Sequence, residues 1–323
     1  MLAHDVLPWT LFGARAAVIR EVSPHLVRVT FVSADPGEDA LADFADAGAD
    51  TRVKLLLPSD GGRLDGLGSG ADWYQQWRAL PNHRRPAMRT YTVRAVRPAT
   101  AECGAEVDVD LVLHGVVGPA SAWATALLAA ERGRGPQQDR HVLLCGPNAA
   151  HGGPYGGREW RAPSPATDLL LVGDETALPA ICAILEELPV DATGTALIEI
   201  PSAVDELDLR APAGFAIRWL RRDEVPEVGQ GGLMLRAALG WAPAAAGVSG
   251  APLDDGESGD DLLWEVPEQS DGGAAGQPGI RAWVAGEASA VREIRRHLVG
   301  ACALSRREVA FMGYWRIGTS EAN

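Results

Sequence analysis

The sequence predicts a β-barrel plus α/β architecture, in which an N-terminal antiparallel barrel is followed by a parallel-sheet domain. Three patterns predict it: short strands with a late helix in the first half, a Gly- and Pro-rich stretch at 149–167, and strands that alternate with helices thereafter. The 323 residues, 46% of them hydrophobic, are enough for two such domains. We therefore expect one domain over residues 1–160 and a second over residues 161–323.

The first half contains six strand patterns. The stretch AAVIREVSPHLVRVTFVS is divided into two strands by Ser23-Pro24, and TRVKLLLP is a third strand that Pro58 ends. The remaining three are MRTYTVRAV, AEVDVDLVLHG and RHVLLCGPN, the second of which alternates Val and Leu with Asp. Several short strands with a single helix inserted late among them indicate a small antiparallel barrel.

Two helical patterns accompany these strands. Trp73, Trp77 and Leu80 recur at helical spacing in DWYQQWRALP. The stretch GPASAWATALLAAERG places Pro119 at a helix start, continues with good helix formers and closes on Gly133.

The second half alternates apolar strands with helices. Its strand patterns are DLLLVG, GTALIEI, FAIRWLRR, IRAWVAGE and REVAFMGYW, and its helical patterns are ALPAICAILEELP, GGLMLRAALGW and SAVREIRRHLVG. Long continuous apolar strands between helices predict a parallel sheet. The acidic, Gly-rich stretch 243–279 lies between a helix and a strand, and its composition predicts a disordered excursion.

The charge balance and the cysteines narrow the possible partners. A net charge of −14 argues against nucleic acid or an anionic membrane surface as the main partner. The N-terminus lacks a signal-peptide pattern, and no apolar run approaches the roughly 18 residues that span a bilayer. The four cysteines show neither a CxxC pair nor a His/Cys metal spacing. We expect a cytoplasmic protein, by default a monomer, with no metal site and no stable membrane association.

The stretch HGVVGPASAWA is a candidate anion site. A strand ends at His114-Gly115 and a short loop leads into a helix whose first residues are small: Gly118, Pro119, Ala120 and Ser121. Backbone N–H groups at a helix start, together with the positive end of the helix dipole, suit a phosphate or pyrophosphate. A purely structural interpretation fits the same residues, with Pro119 and Ser121 starting and capping the helix and His114 filling a structural role.

The strand RTYTVR carries a second candidate site. Side chains alternate along a strand, so Arg89 and Tyr91 share one face. Arginine can hold a phosphate with two hydrogen bonds, and a tyrosine ring offers a flat surface for stacking. Thr92 adds a hydroxyl close by. The pattern indicates a nucleotide-like cofactor with a large heterocycle, and the alternative is an exposed barrel strand of mixed charge.

The turn GDETALPA is a third candidate, at the start of the α/β half. An apolar strand passes through Gly173 into a helix, but the G-x-G-x-x-G pattern of dinucleotide-binding domains is absent. Asp174 and Glu175 would repel a phosphate there, so a nicotinamide or flavin ring is the expected neighbour. Alternatively, Asp174 or Thr176 simply caps the helix.

Together, MRTYTVR, HGVVGPASAWA and GDETALPA resemble the siderophore-interacting proteins, a branch of the ferredoxin-NADP reductase-like flavoproteins also called ferric-siderophore reductases. The later stretches WVAGEASAVREIRRHL and GYWRIG fit the same family. The resemblance implies an FAD-binding barrel, with Arg89 holding an FAD phosphate, Tyr91 stacking on the isoalloxazine ring and Thr92 bonding near its reactive edge. The cofactor-binding residues that it implies in the barrel are Arg89, Tyr91, Thr92, Val93, His114, Gly115, Gly118, Pro119, Ala120 and Ser121.

The resemblance also implies an NAD(P)H-binding second domain. Its turn would face the flavin and the incoming nicotinamide, its Gly286-Glu287 pair would line the pyridine-nucleotide side, and Trp315 would lie against the flavin. The turn comprises Gly173, Asp174, Glu175, Thr176 and Ala177. No arginine stands out as a partner for the 2′-phosphate of NADPH, although Arg218, Arg221 and Arg222 are candidates.

The activity that the resemblance implies is reduction of a ferric-siderophore by FAD, with electrons from NADH or NADPH, or from ferredoxin as in some relatives. Lys54, the only lysine in the chain, matches a basic substrate-binding position, and Arg316 is a second candidate. Two departures from the family pattern are a longer, more Gly-rich loop after LLCGPN and the 243–279 excursion, which interrupts the nucleotide domain. If the excursion folds over the nicotinamide face, it argues against pyridine-nucleotide use. The alternatives are a general flavin reductase, a ferredoxin-dependent electron-transfer flavoprotein and a siderophore-binding module without flavin.

Overall fold

A computed structural model describes residues 6–35, 37, 39–58, 64, 67–68, 70–113, 118–161, 168–241, 264–266 and 281–318. The chain divides into two compact units, the first ending at Arg158 and the second beginning at Glu159. Each unit has its own sheet, as the sequence predicts.

The first unit is a closed six-stranded barrel in which every neighbouring pair of strands is antiparallel. Its strands are β1 (Trp9–Ser23), β2 (Leu26–Ser33), β3 (Arg52–Leu57), β4 (Ala87–Arg97), β5 (Glu106–Val112) and β6 (His141–Pro147), in the spatial order β1-β2-β5-β4-β3-β6. Two helices accompany them, α1 (Trp73–Ala79) and α2 (Pro119–Glu131).

The barrel interior is apolar and includes one side of α2. Phe31, Val53, Leu55 and Leu111 have almost no exposed surface, and Leu127 of α2 joins the same cluster. On a scale of about 1.5–3 kcal/mol for each fully buried large aliphatic side chain, this cluster is the main source of the barrel's stability.

The aspartates that alternate along β5 are buried rather than solvated. Asp110 accepts two hydrogen bonds from Arg28 at 2.6 and 2.7 Å, and Asp108 accepts two from Arg97 at 2.7 and 2.8 Å. Buried charges are tolerated when they are paired in this way. The polar face of β5 is therefore a row of ion pairs that join it to its neighbours β2 and β4.

The second unit is an α/β domain with one mostly parallel sheet. Its strands are β7 (Asp168–Gly173), β8 (Thr193–Ile200), β9 (Gly214–Arg221), β10 (Trp264–Glu265), β11 (Ala282–Glu287) and β12 (Val309–Trp315). Its helices are α3 (Leu178–Glu187), α4 (Gly232–Leu239) and α5 (Ala288–Arg295). The sheet order is β10-β12-β11-β7-β8-β9, with only the β10–β12 pair antiparallel. The predicted fold class is confirmed in both units.

Strand order in the second unit reverses next to β7. The chain builds outward from β7 through β8 to β9, then returns to place β11 and β12 on the other side of β7. In open α/β sheets such a reversal opens a crevice at the carboxyl ends of the two central strands, and ligands bind there. The carboxyl ends of β7 and β11 are therefore where a ligand of this unit is expected.

The excursion predicted at 243–279 lies mostly outside the described residues. Its described part, 264–266, includes β10, which pairs Trp264 with Met312 and Glu265 with Phe311 of β12. Glu265 also forms an ion pair with Arg295 of α5. Within the described residues, no helix is long and apolar enough to cross a membrane, and no three His, Cys, Asp or Glu side chains gather as a metal site.

Candidate functional site

Strand β4 carries four of the predicted residues on two faces. Arg89 and Tyr91 lie opposite Leu55 and Val53 of β3, so both point to the side that contains the barrel core. Tyr91 is half-buried against that core, and Val93 is part of it. Arg89 and Tyr91 thus share a face, as the alternation predicts.

Thr92 lies on the other face of β4. It is 5% exposed and pairs in register with Arg52 of β3, just as Thr90 pairs with Lys54. Consecutive strand residues point to opposite sides, so Thr92 and Tyr91 lie on opposite faces of β4.

The amino end of α2 carries the candidate anion-site residues Gly118, Pro119, Ala120 and Ser121. Gly118, its N-cap, has a φ of +96°, and no atom of the described residues lies within 4 Å of the place where a Cβ would stand. Gly118 has no side chain to cap the helix, and Pro119 follows at the first position. Ala120 and Ser121 are buried at 3% and 5% exposure. His114 and Gly115 lie outside the described residues.

An open pocket of about 260 Å³ lies on the outer face of the barrel, beside Lys54. It is lined by Trp9, Arg52, Lys54, Thr90 and Gly157. The Lys54 ammonium donates to the Thr90 hydroxyl at 3.2 Å. Two cations and an aromatic ring around one pocket suit an anionic, partly aromatic ligand.

The aromatic wall of this pocket is held in place by the backbone after the barrel. The Trp9 indole donates to the Tyr155 carbonyl at 2.7 Å. Gly157 has a φ of +73°, and a Cβ there would lie 2.1 Å from the Trp9 ring. Only glycine allows so close an approach.

Sequence reasoning missed Arg52 and Trp9 as pocket residues. Arg52 lies two positions before Lys54 on β3, so the strand period of two could have placed it on the same face. Trp9 reaches the pocket because the chain returns to it more than a hundred residues later, and no local pattern signals that contact.

Asp174 connects three segments at the switch point of the second unit. Its Oδ1 accepts hydrogen bonds from the backbone N–H and the hydroxyl of Thr176. Its Oδ2 accepts from the Glu287 N–H at 3.0 Å and from the Trp315 indole at 2.8 Å. The structure therefore brings together the β7 turn, the end of β11 and the C-terminal aromatic residue that the sequence singled out.

Gly173 and Gly286 lie beside Asp174 where a side chain would clash with neighbouring atoms. Gly286 has a φ of +140°, and a Cβ there would lie 2.6 Å from Asp174 Oδ2. At Gly173 a Cβ would lie 2.5 Å from that of Ala177, the N-cap residue of α3. The close approach of β7, β11 and α3 explains both glycines.

The Asp174 carboxyl has a pKa well above the usual range for aspartate. It is fully buried, which raises its pKa to about 7, and the neighbouring Glu175 carboxylate adds to the effect. The hydrogen bonds from Thr176 and Trp315 favour the charged form and oppose the shift without cancelling it.

Glu175 and Arg222 form a buried ion pair beside this turn. The two Arg222 Nη atoms lie 2.6 and 2.7 Å from the Glu175 carboxylate, and one of them is 3.1 Å from Glu199. Gln230 donates a further bond to Glu175 at 2.8 Å. Glu199, at the end of β8, has no exposed surface. Arg222, a candidate for the NADPH 2′-phosphate, is thus committed to two carboxylates of the chain.

The second unit contains three more candidate arginines for phosphate or substrate binding: Arg218, Arg221 and Arg316. Arg221 forms ion pairs with Glu206 and Glu224, and Arg218 is exposed in β9. Arg316 follows β12 and is half-buried. Lys54 belongs to the first unit and Arg316 to the second.

Family models match nearly the whole described chain. Residues 15–151 match the siderophore-interacting FAD-binding domain, and residues 166–318 match the siderophore-interacting protein model. The first unit is thus an FAD-binding domain of this kind.

Individual relatives agree with the models. Ferric vibriobactin reductase ViuB of Vibrio cholerae is 29% identical over 304 residues, covering 93% of this chain and 87% of its own length. An uncharacterized protein of Mycobacterium tuberculosis is 39% identical over 228 residues, 67% of this chain and 69% of its own.

Solved structures of siderophore-related proteins have the same fold. The siderophore-interacting protein SipS from Aeromonas hydrophila aligns with a TM-score of 0.60 and 28% identity, covering 97% of this chain and 94% of its own. A siderophore utilization protein from T. fusca aligns with a TM-score of 0.63 and 25% identity, covering 99% and 97%. With both halves matched, the chain belongs to the siderophore-interacting protein family.

Proposed function

We propose that the protein is an FAD-dependent ferric-siderophore reductase that releases ferrous iron in the cytoplasm. The observation that carries the proposal is the match of both units to the siderophore-interacting models, together with similarity to a ferric vibriobactin reductase over 93% of the chain. The described barrel adds a cationic pocket suited to an anionic ligand.

The residues of the first unit fit FAD. A pyrophosphate would lie at the start of α2, where the positive φ of Gly118 and the space around it in the described residues support the proposal. Arg89 would hold a phosphate, Tyr91 would stack on the ring system and Thr92 would donate from the other face of β4. When bound, FAD supplies electron transfer in single steps, which ferric iron requires.

The pocket beside Lys54 would hold the ferric complex. The chain has a net charge of −14, so an anionic complex needs a local positive patch to approach it. Arg52 and Lys54 provide that patch, and Trp9 offers a ring on which an aromatic arm can stack. At about 260 Å³ the pocket is smaller than the roughly 300–1,000 Å³ that encloses a drug-sized ligand, so it would take one chelating arm.

Reduction releases the metal because oxygen chelators bind ferric iron far more tightly than ferrous iron. The ligand is left intact, and the protein needs no acid or base to cleave it. The proposed electron donors are NADH or NADPH and, as an alternative, reduced ferredoxin.

The experiment that tests the function is independent of the donor. The yellow holoprotein is photoreduced without oxygen and mixed with a ferric tris-catecholate or tris-hydroxamate complex in the presence of a ferrous-iron trap. We expect flavin absorbance to return as trapped ferrous iron appears, with about two ferrous ions per flavin. Protein purified without flavin, or flavin that returns no faster than free reduced FAD under the same conditions, would contradict the proposal.

A further inference from the structure

The stretch that contains α1 and β4 is strongly basic, although the chain is acidic. Residues 73–101 contain six arginines and no aspartate or glutamate, whereas the whole chain has 43 Asp and Glu against 29 Lys and Arg. A cationic surface on an acidic protein raises the local concentration of anions. The contacts of these arginines show how much of their charge is left for a ligand.

Two of the six arginines keep their charge for a ligand. The three arginines of β4 are engaged: one is the candidate for an FAD phosphate, and the other two lie 3.9 and 2.7 Å from carboxylates of β5. Arg85 donates to the backbone carbonyls of Arg78 and Leu80 at 2.7 and 2.8 Å. Arg78 and Arg84 are exposed, and neither forms an ion pair with any residue that the structure describes.

These two arginines are chain neighbours of an aromatic stack on α1. The Tyr74 and Trp77 rings are stacked, with centroids 5.5 Å apart and planes inclined by 20°. The Arg85 guanidinium lies over the Trp77 ring at 5.3 Å. Tyr74 is 44% exposed, and Arg78, one helical turn later, lies on the same side of α1. The α1 patch consists of Tyr74, Trp77, Arg78, Arg84 and Arg85.

Trp77 fixes the α1 patch to the barrel. It is 3% exposed, and its indole donates to the Pro86 carbonyl at 2.9 Å. It also packs with Leu56 and Cys145 in one buried cluster. The Tyr74 ring that stacks on Trp77 is therefore positioned before a ligand arrives, which lowers the entropic cost of binding.

The α1 patch adjoins the pocket beside Lys54. Cys145 of β6 pairs in register with Lys54, and Leu56 lies two residues further along β3, about 7 Å away. Trp9, the aromatic wall of the pocket, packs against the same buried cluster as Trp77 does. One face of the barrel thus carries two neighbouring places where an aromatic ring accompanies cationic side chains.

The pocket alone is too small for a whole ferric complex. A volume of about 260 Å³ is below the roughly 300–1,000 Å³ of a site that encloses a drug-sized ligand, so the other arms of a three-armed complex lie outside it. A catecholate arm is both anionic and aromatic. Arginines bind its charge, and a tyrosine ring offers a surface for its ring to stack on.

We propose that the α1 patch is a second substrate subsite, in which Tyr74 stacks on an anionic aryl arm of the ferric complex. Arg78 and Arg84 bind the negative charge of that arm while another arm fills the pocket beside Lys54. This inference rests on the proposed function and adds a site to it. A complex without aromatic arms gains nothing from the α1 patch, which therefore favours catecholate over hydroxamate complexes.

Binding is tested with redox-inert gallium(III) in place of ferric iron. The holoprotein is titrated calorimetrically with the gallium complexes of a tripodal tris-catecholate and of a linear tris-hydroxamate. We expect Tyr74→Ala to weaken binding of the catecholate complex about fivefold, because the stacking is lost, and Arg78→Ala about threefold, because one exposed charge pair is lost. Binding of the hydroxamate complex should be unchanged in both variants.

Two matched variants separate these contacts from general effects. Tyr74→Phe keeps the ring and should bind the catecholate complex within about twofold of the wild-type protein. Arg20→Ala removes an exposed charge of β1 and should weaken binding less than Arg78→Ala does. The proposal is overturned if Tyr74→Ala binds within about twofold of wild type, if Arg20→Ala and Arg78→Ala lose equally, or if the hydroxamate complex loses as much as the catecholate complex. Anionic phospholipid vesicles that bind through Tyr74, with gallium binding unaffected, would also overturn it.

The photoreduction assay tests the proposed function separately, because gallium binding involves no electron transfer. Ferric reduction that persists while Tyr74→Ala leaves gallium binding unchanged overturns the α1 patch alone. A Tyr74→Ala effect on gallium binding in a protein that reduces no ferric complex supports the α1 patch as a binding site and contradicts the reductase function. Wild-type protein that shows no saturable gallium binding up to about 1 mM overturns the α1 patch whatever the reduction assay shows.

Discussion

Replacing Gly286 by alanine should destabilise the second unit through two separate effects. A residue with a side chain at a φ of +140° pays a conformational cost of about 1–3 kcal/mol. The new Cβ would also stand 2.6 Å from Asp174 Oδ2, so the carboxylate must move away from the Glu287 N–H and the Trp315 indole. A buried donor left without an acceptor costs about 1–3 kcal/mol.

The expected total is a loss of about 3–6 kcal/mol in the free energy of unfolding. The Trp315 hydrogen bond contributes less to it than a fully buried one, because the indole is partly exposed and can turn towards water. That is a large part of the stability of a typical domain, about 5–15 kcal/mol. The assay is equilibrium unfolding of the holoprotein in urea, followed by tryptophan fluorescence and circular dichroism. Gly318→Ala is the matched control in the same unit, since Gly318 has a φ of +79° but no atom of the described residues within 4 Å of the new Cβ.

A double-mutant cycle separates the two effects of Gly286→Ala. In a Trp315→Phe background one of the two threatened hydrogen bonds is already absent, so Gly286→Ala should cost about 1 kcal/mol less there. If Gly286→Ala loses no more stability than Gly318→Ala, the interpretation of Asp174 as the residue that joins these segments is refuted.

Three further predictions concern the cofactor, the substrate and pH. Arg89→Ala should yield nearly colourless protein, measured as the flavin-to-protein absorbance ratio, whereas the exposed-arginine control Arg84→Ala should stay yellow; full FAD content in Arg89→Ala would contradict the phosphate role. Lys54→Ala should raise the apparent KM for a ferric-siderophore about tenfold and leave reduction of a small neutral acceptor unchanged. Arg20→Ala is the control for the change in net charge. An equal loss of activity on both acceptors would count against the pocket as the substrate site. The raised pKa of Asp174, about 7 in the folded protein and about 4 when unfolded, means that the native state binds the extra proton. The free energy of unfolding should therefore fall by up to about 1.4 kcal/mol per pH unit between pH 4 and 7, and a comparison with Asp174→Asn that shows the same slope would exclude Asp174 as its source.

Local patterns in the sequence were sufficient for the fold. Period-two alternation and the Pro and Gly residues between strands identify the six barrel strands, and apolar runs between helical patterns identify the parallel sheet. The shared face of Arg89 and Tyr91 follows from the same period. Thr92, the next residue of β4, points to the opposite side of the strand by the same rule.

What the sequence could not supply are contacts between distant segments. Glu199 accepts hydrogen bonds at the start of α4, which begins more than thirty residues later in the chain. Arg222 follows β9, yet it forms an ion pair with Glu175, which follows β7. Both depend on the order of strands in the sheet, which fixes what meets at the carboxyl edge. The sequence alone shows the acidic pair Asp174-Glu175 after β7. It does not show that the Glu199 and Glu287 carboxylates accept hydrogen bonds from the backbone N–H groups at the starts of α4 and α5.

The closure of the barrel has a consequence for synthesis of the chain. Strand β1 pairs with β6 along one edge, beginning with Trp9 opposite Pro147. The Trp9 indole also donates a hydrogen bond to the Tyr155 carbonyl, 146 residues later in the chain. At about 5–20 residues per second, the ribosome needs roughly 7–30 s to deliver those partners. During that time the Trp9–Arg15 part of β1 lacks its β6 partner, and this edge can pair with β strands of other chains. Nascent chains that stall before His141 should therefore be the aggregation-prone form of this protein.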